Sequence, residues 1–177
     1  MRLKLPTVLL GLVAAPAFAA TADLTVELPR MDVAEYHRPY VAIWIEREDR
    51  SIAANLAVWY QAKEGKDAQS GKAESGTKWL ADLRQWWRRG GRDQALPIDG
   101  VTGATRPAGE HRLSFAGDKP PLAGLAPGQY KLVVEAAREV GGHELVAVPF
   151  AWPPAAPQHL TAKGEHELGT LRLDLNP

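Results

Sequence analysis

The chain has 177 residues, with 21 Lys and Arg against 21 Asp and Glu and no cysteine. Zero formal net charge argues against nucleic acid or an anionic membrane surface as partner, since either normally requires a marked basic excess. Without cysteine there is no disulfide framework, thiolate metal site or c-type haem attachment in this sequence.

In chain order, Arg2 and Lys4 precede a short apolar run at 5–13, and Ala17-Phe18-Ala19 offers the small residues that a signal peptidase reads. Residues 1–19 therefore read as a signal peptide cleaved before Ala20, and 20–177 as a single periplasmic domain long enough to bury a core. No later stretch approaches the ~20 apolar residues of a spanning helix, so no direct membrane span is expected.

Residues 24–28 (LTVEL) alternate apolar and polar, the period of a half-buried strand. Residues 40–46 (YVAIWIE) place Val41, Ile43 and Ile45 on one face and Ala42 and Trp44 on the other, as a central strand covered on both sides would. Residues 56–60 (LAVWY) complete a hairpin with it, and 61–77 form a polar surface loop. The spacing of Trp79, Leu80, Leu83, Trp86 and Trp87 predicts one short Trp-rich helix over 78–89, capped by Thr77 and ended by Gly90-Gly91. Strands resume at 111–115, 130–136 and 144–150, with a long turn over 117–128 and a short one at 141–142. The proline-rich 152–157 cannot be an interior strand, and a last strand is expected over 168–175. Seven or eight short strands at regular turn spacing predict an all-β, immunoglobulin-like β-sandwich.

Two resemblances bear on this fold. Residues 107–136 (PAGEHRLSFAGDKPPLAGLAPGQYKLVVEA) resemble the hairpin of flagellar-hook-cap-type immunoglobulin-like domains. With its KWL…WWR helix and GATRPAG segment, the chain from residue 20 onward also resembles a family of predicted periplasmic proteins of unknown function.

Residues 99–105 (DGVTGAT) resemble the flavinylation motif D-G-x-(S/T)-G-A-(S/T) read by the periplasmic FMN transferase, known from subunits of sodium-pumping NADH:quinone reductases and related complexes. The resemblance implies that the Thr105 hydroxyl takes FMN from FAD as a phosphodiester. It also implies the FMN transferase as modifying partner and a membrane-bound reductase or other redox partner. The residue types suit that chemistry. A hydroxyl acceptor must be activated by a base or metal on the modifying enzyme, so it has to be exposed. Gly103 and Ala104 leave the approach open, and Gly103 can take backbone angles other residues avoid. Asp99, following a proline-isoleucine pair and preceding Gly100, can with Thr102 hydrogen-bond nearby backbone and shape the loop. Pro107 favours an extended Arg106, whose guanidinium can pair with the phosphodiester. The bland reading is a Gly/Thr/Asp turn between helix and strand.

Trp79, Trp86 or Trp87 could stack on a flavin ring, although such a stripe more often pins a helix to a sheet, and Trp44 and Trp59 read as core. His37, His111, His143, His159 and His166 lack the H-x-x-x-H spacing of a helical metal site and read as loop or strand residues. Arg84, Arg88, Arg89 and Arg92 read as a solvated helix face or a docking patch. Ser114 near His111 does not make a hydrolytic triad. The reading is thus a periplasmic covalent flavoprotein in extracytoplasmic electron transfer, an electron carrier rather than a stand-alone enzyme. The alternative is a cofactor-free binding or assembly module of the envelope.

Overall fold

The structure is a computed structural model and describes residues 19–61 and 76–177. All but the last residue of the expected leader, and residues 62–75 of the expected loop, lie outside the described residues. The strands are β1 (Thr21–Leu28), β2 (Tyr40–Glu46), β3 (Ile52–Trp59), β4 (Thr102–Gly103), β5 (Gly109–Ala116), β6 (Gly128–Ala137), β7 (His143–Trp152), β8 (Gln158–Lys163) and β9 (Thr170–Asn176). They build two sheets, one in the order β5-β1-β9-β8 and the other β4-β3-β2-β6-β7. Every pairing is antiparallel except the short parallel match of β4 with β3. The chain is a mostly-β, two-sheet sandwich.

Period-2 alternation explains the main core. Leu24 and Val26 of β1, Leu171, Leu173 and Leu175 of β9, and Val41, Ile43 and Ile45 of β2 all turn into one apolar cluster between the sheets. Fully burying each such aliphatic side chain contributes about 1.5–3 kcal/mol relative to exposure. As the alternation implies, β2 is central, between β3 and β6, and Ala42 and Trp44 face the other way.

That second face is also buried. Ala42, Trp44, Val58 and Val133 are covered by Leu80, Leu83 and Trp86 from the segment that precedes the motif. The segment is not the single α-helix expected over 78–89. It is a 3-10 helix over Gly76–Asp82, a break at Leu83, the short α-helix α1 (Arg84–Arg88) and a 3-10 turn at Gly91–Asp93. Leu80, Leu83 and Trp86 are each fully buried and recur every third residue, which suits a tighter three-residue turn, and Trp79 is left 51% exposed. Thr77 lies inside the 3-10 helix instead of capping it, and Leu83 at the start of α1 supplies no side-chain cap. Gly90, at φ 138°, makes the exit turn.

Two other expectations need correction. The stretch 107–136 is not a hairpin, since β5 pairs with β1 in one sheet while β6 pairs with β2 and β7 in the other. Residues 117–127 carry the chain across, with Leu122 plugged into the core between the sheets. An additional strand, β8, follows the proline-rich run and forms an edge beside β9.

Candidate functional site

The motif begins where the covering segment returns to the sheet. Ile98 organises its first turn. The Ile98 carbonyl accepts the N–H groups of Val101 (3.2 Å) and Thr102 (2.9 Å), while the Thr102 hydroxyl accepts the Ile98 N–H at 2.8 Å. Gly100 sits at φ +67°, the left-handed region where a side chain is disfavoured. Val101 is buried in the second cluster, and its carbonyl accepts the Val58 N–H at 3.0 Å. The Gly103 carbonyl accepts the Tyr60 N–H at 3.0 Å. Residues 101–103 are thereby stitched along the edge of β3.

Residues 104–108 then cross without regular structure from the edge of the five-stranded sheet to β5, the edge of the other. Ala104 and Arg106 are exposed and Thr105 is half-buried. Among the described residues, the Thr105 hydroxyl has no hydrogen-bond partner. The Arg106 guanidinium lies over the Trp59 ring, 5.4 Å from its centroid. On the same ring, the His111 imidazole makes an edge contact with centroids 5.6 Å apart and planes at 73°. His111 Nε2 donates to the Pro107 carbonyl at 2.8 Å.

The seven motif positions thus form one stretch along the sheet edge, with Val101 buried and the rest at least partly exposed, but not all play the expected part. Thr102 shapes the loop as expected, whereas the Asp99 carboxylate is exposed and takes no hydrogen bond from another described residue. The backbone angle reserved for glycine belongs to Gly100, not Gly103. Gly103 lies in the β4 ladder, where an added Cβ would meet Trp59 Cδ1 at an ordinary 3.4 Å. Trp86 is withdrawn into the second cluster, where its Nε1 donates to Asn55 at 2.8 Å, and Trp87 packs partly against the same cluster. The ring the loop touches is Trp59, a core residue whose closeness to Arg106 follows from the β3–β4 pairing and from no local spacing. Of the four helix arginines, Arg89 turns inward to pair with Glu46 and to lie over Trp44, so the patch is not a row of free cations. His37, His143 and His159 lie beside carboxylates of Glu35, Glu135 and Asp174 respectively.

Over residues 21–170 the chain matches the family described as "Predicted periplasmic protein (DUF2271)". The chain belongs to this family. No curated protein and no solved structure gives a significant match. DUF2271 carries a location, the periplasm, and no activity. Among the described residues no helix is long and apolar enough to cross a membrane.

In this DUF2271 chain the residues around Thr105 suit the attachment end of a flavin nucleotide. The hydroxyl is unengaged, the preceding side chains are small, and a guanidinium stands next in the chain for a phosphodiester. The Trp59 ring is only 2% exposed, with Arg106 over it. That face is therefore covered and offers no open stacking surface.

Proposed function

We propose that this protein carries FMN through a phosphodiester on Thr105 and serves periplasmic electron transfer. The observation that carries the reading is the Thr105 hydroxyl, without a partner among the described residues and partly exposed on a short arch between two anchored points. A transferase must take that oxygen into its own site, and the exposed Ala104 and Arg106 on either side leave it reachable. The flavin would supply one- and two-electron chemistry. The chain's own residues would fix its tether and, through Arg106, balance the charge of the phosphodiester. A membrane-bound reductase is the implied partner, and no residue is assigned a catalytic role. We read the sandwich as immunoglobulin-like, on the strength of its short strands and the crossing of 107–136 between sheets.

Co-expression of the exported protein with an FMN transferase tests this reading. A denaturing gel should show a flavin-fluorescent band for wild type and Thr105→Ser and none for Thr105→Ala. Intact mass should rise by one FMN less water. A dark wild-type band, with an established substrate labelled in parallel, would overturn the reading in favour of a cofactor-free binding module.

A further inference from the structure

The arch that carries Thr105 is held at both ends, and the two anchors differ in kind. On the entry side, the Gly103 carbonyl is locked into the β3 edge by the Tyr60 N–H. On the exit side no ladder bond holds the chain until β5 begins at Gly109. The anchor there is a side chain, His111, which reaches back four residues to the Pro107 carbonyl at 2.8 Å. A carbonyl can only accept, so Nε2 carries the hydrogen in this contact. The His111 ring is itself set by its edge contact with Trp59, which is rooted in the core and lies under Arg106.

We propose that His111 is a positioning residue for Thr105, pinning the exit of the arch through Pro107 and Trp59. This rests on the reading of Thr105 as the flavin acceptor. With both ends fixed, only residues 104–106 remain to place the hydroxyl. Loss of the exit anchor leaves that short arc continuous with the free residues before β5. The acceptor oxygen then samples more positions, and a transferase that must align it with a phosphorus centre meets the right one less often. His111 touches no reacting atom in this scheme.

Two variants separate the hydrogen bond from the ring. His111→Phe keeps an aromatic edge against Trp59 but cannot donate to Pro107. His111→Gln can donate through its side-chain amide. Purified wild type and variants are labelled with FMN transferase and FAD, and initial rates are followed by in-gel flavin fluorescence at several protein concentrations. His111→Phe should lower kcat/KM for the transferase on the order of tenfold, as expected for a misplaced reacting group, and His111→Gln should recover most of it. Before any flavin is attached, backbone 15N relaxation order parameters at Ala104, Thr105 and Arg106 should fall in His111→Phe and not in His111→Gln. Far-UV circular dichroism and thermal midpoints identify a variant that has simply unfolded. If wild type takes no label, the flavin reading fails, and the relaxation data still report on the pin. If wild type is labelled while His111→Phe matches it in both rate and order parameters, the positioning role is overturned.

Discussion

Glu135 is fully buried in β6, where a carboxylate survives only if its oxygens are occupied. It accepts the backbone N–H of Gln85 at 2.8 Å and of Trp86 at 2.7 Å, and His143 Nε2 lies 2.5 Å away. It therefore does from another strand what a Ser or Asp at the start of α1 would do locally. Glu135→Gln should lower unfolding free energy by about 2–3 kcal/mol, because one amide oxygen cannot replace two carboxylate oxygens and a buried donor loses its partner. Urea denaturation followed by tryptophan fluorescence measures this, and an unchanged midpoint would mean α1 is held by apolar contacts alone. At this scale the sequence is opaque. Glu135 stands where alternation in β6 calls for a polar residue, and the two backbone N–H groups it accepts are about 50 positions away. His111 and Trp59 are hidden for the same reason, since their importance to Thr105 comes from a contact between strands.

At the scale of elements, the covering segment 76–93 divides its tryptophans sharply. Trp86 is fully buried and hydrogen-bonded to Asn55, while Trp79 is 51% exposed with the Lys78 ammonium 4.7 Å from its ring centroid. Trp86→Ala should cost about 3–5 kcal/mol, through lost burial and the cavity beside Trp44. Trp79→Ala should stay within about 0.5 kcal/mol, as exposed positions usually do. Thermal or urea unfolding of the two variants decides whether the stripe is one helix face or the broken path seen here, since equal losses would favour the continuous helix. The apolar character of the segment was legible in its spacing. The break was not, because Trp79, Leu80, Leu83 and Trp86 satisfy a helical stripe as well as the three-residue period that is buried. Strand β8 escaped for the opposite reason. As an edge strand it sends only Leu160 and Ala162 against the core, both partly buried, too weak an alternation beside a proline-rich run.

Across the whole molecule, strand alternation indicates which residues face a core but not which sheet a strand joins, and so β5 and β6 read as neighbours although they belong to opposite sheets. What ties the sheets together at one end is a set of carboxylates. Glu144 of β7 accepts the N–H groups of Glu165 (2.6 Å), His166 (3.1 Å) and Leu168 (2.8 Å) in the turn between β8 and β9. Glu167 of that turn reaches back to Arg138 (2.9 Å) and to the Gly142 N–H (2.7 Å) between β6 and β7. Within one sheet, Glu27 of β1 accepts the Thr170 N–H at 2.8 Å where the neighbouring β9 begins. The Thr170 backbone N–H, then its hydroxyl, hold the Glu27 carboxyl below the ordinary glutamate range. For Glu144, burial pulls upward, but the converging N–H groups of Glu165, Leu168 and His166 outweigh it and leave the carboxyl low. A carboxyl depressed in the folded state contributes stability that is present above its unfolded pKa and lost as pH falls through the folded value. The urea midpoint should therefore be level near neutrality and decline once pH drops below the ordinary glutamate value of about 4.3. Glu27→Gln/Glu144→Gln should be less stable than wild type at neutral pH and show a shallower acid decline, because neither side chain then has a proton to gain. Parallel declines in the two proteins would assign the acid limb to other groups and leave these turns held by geometry instead of charge.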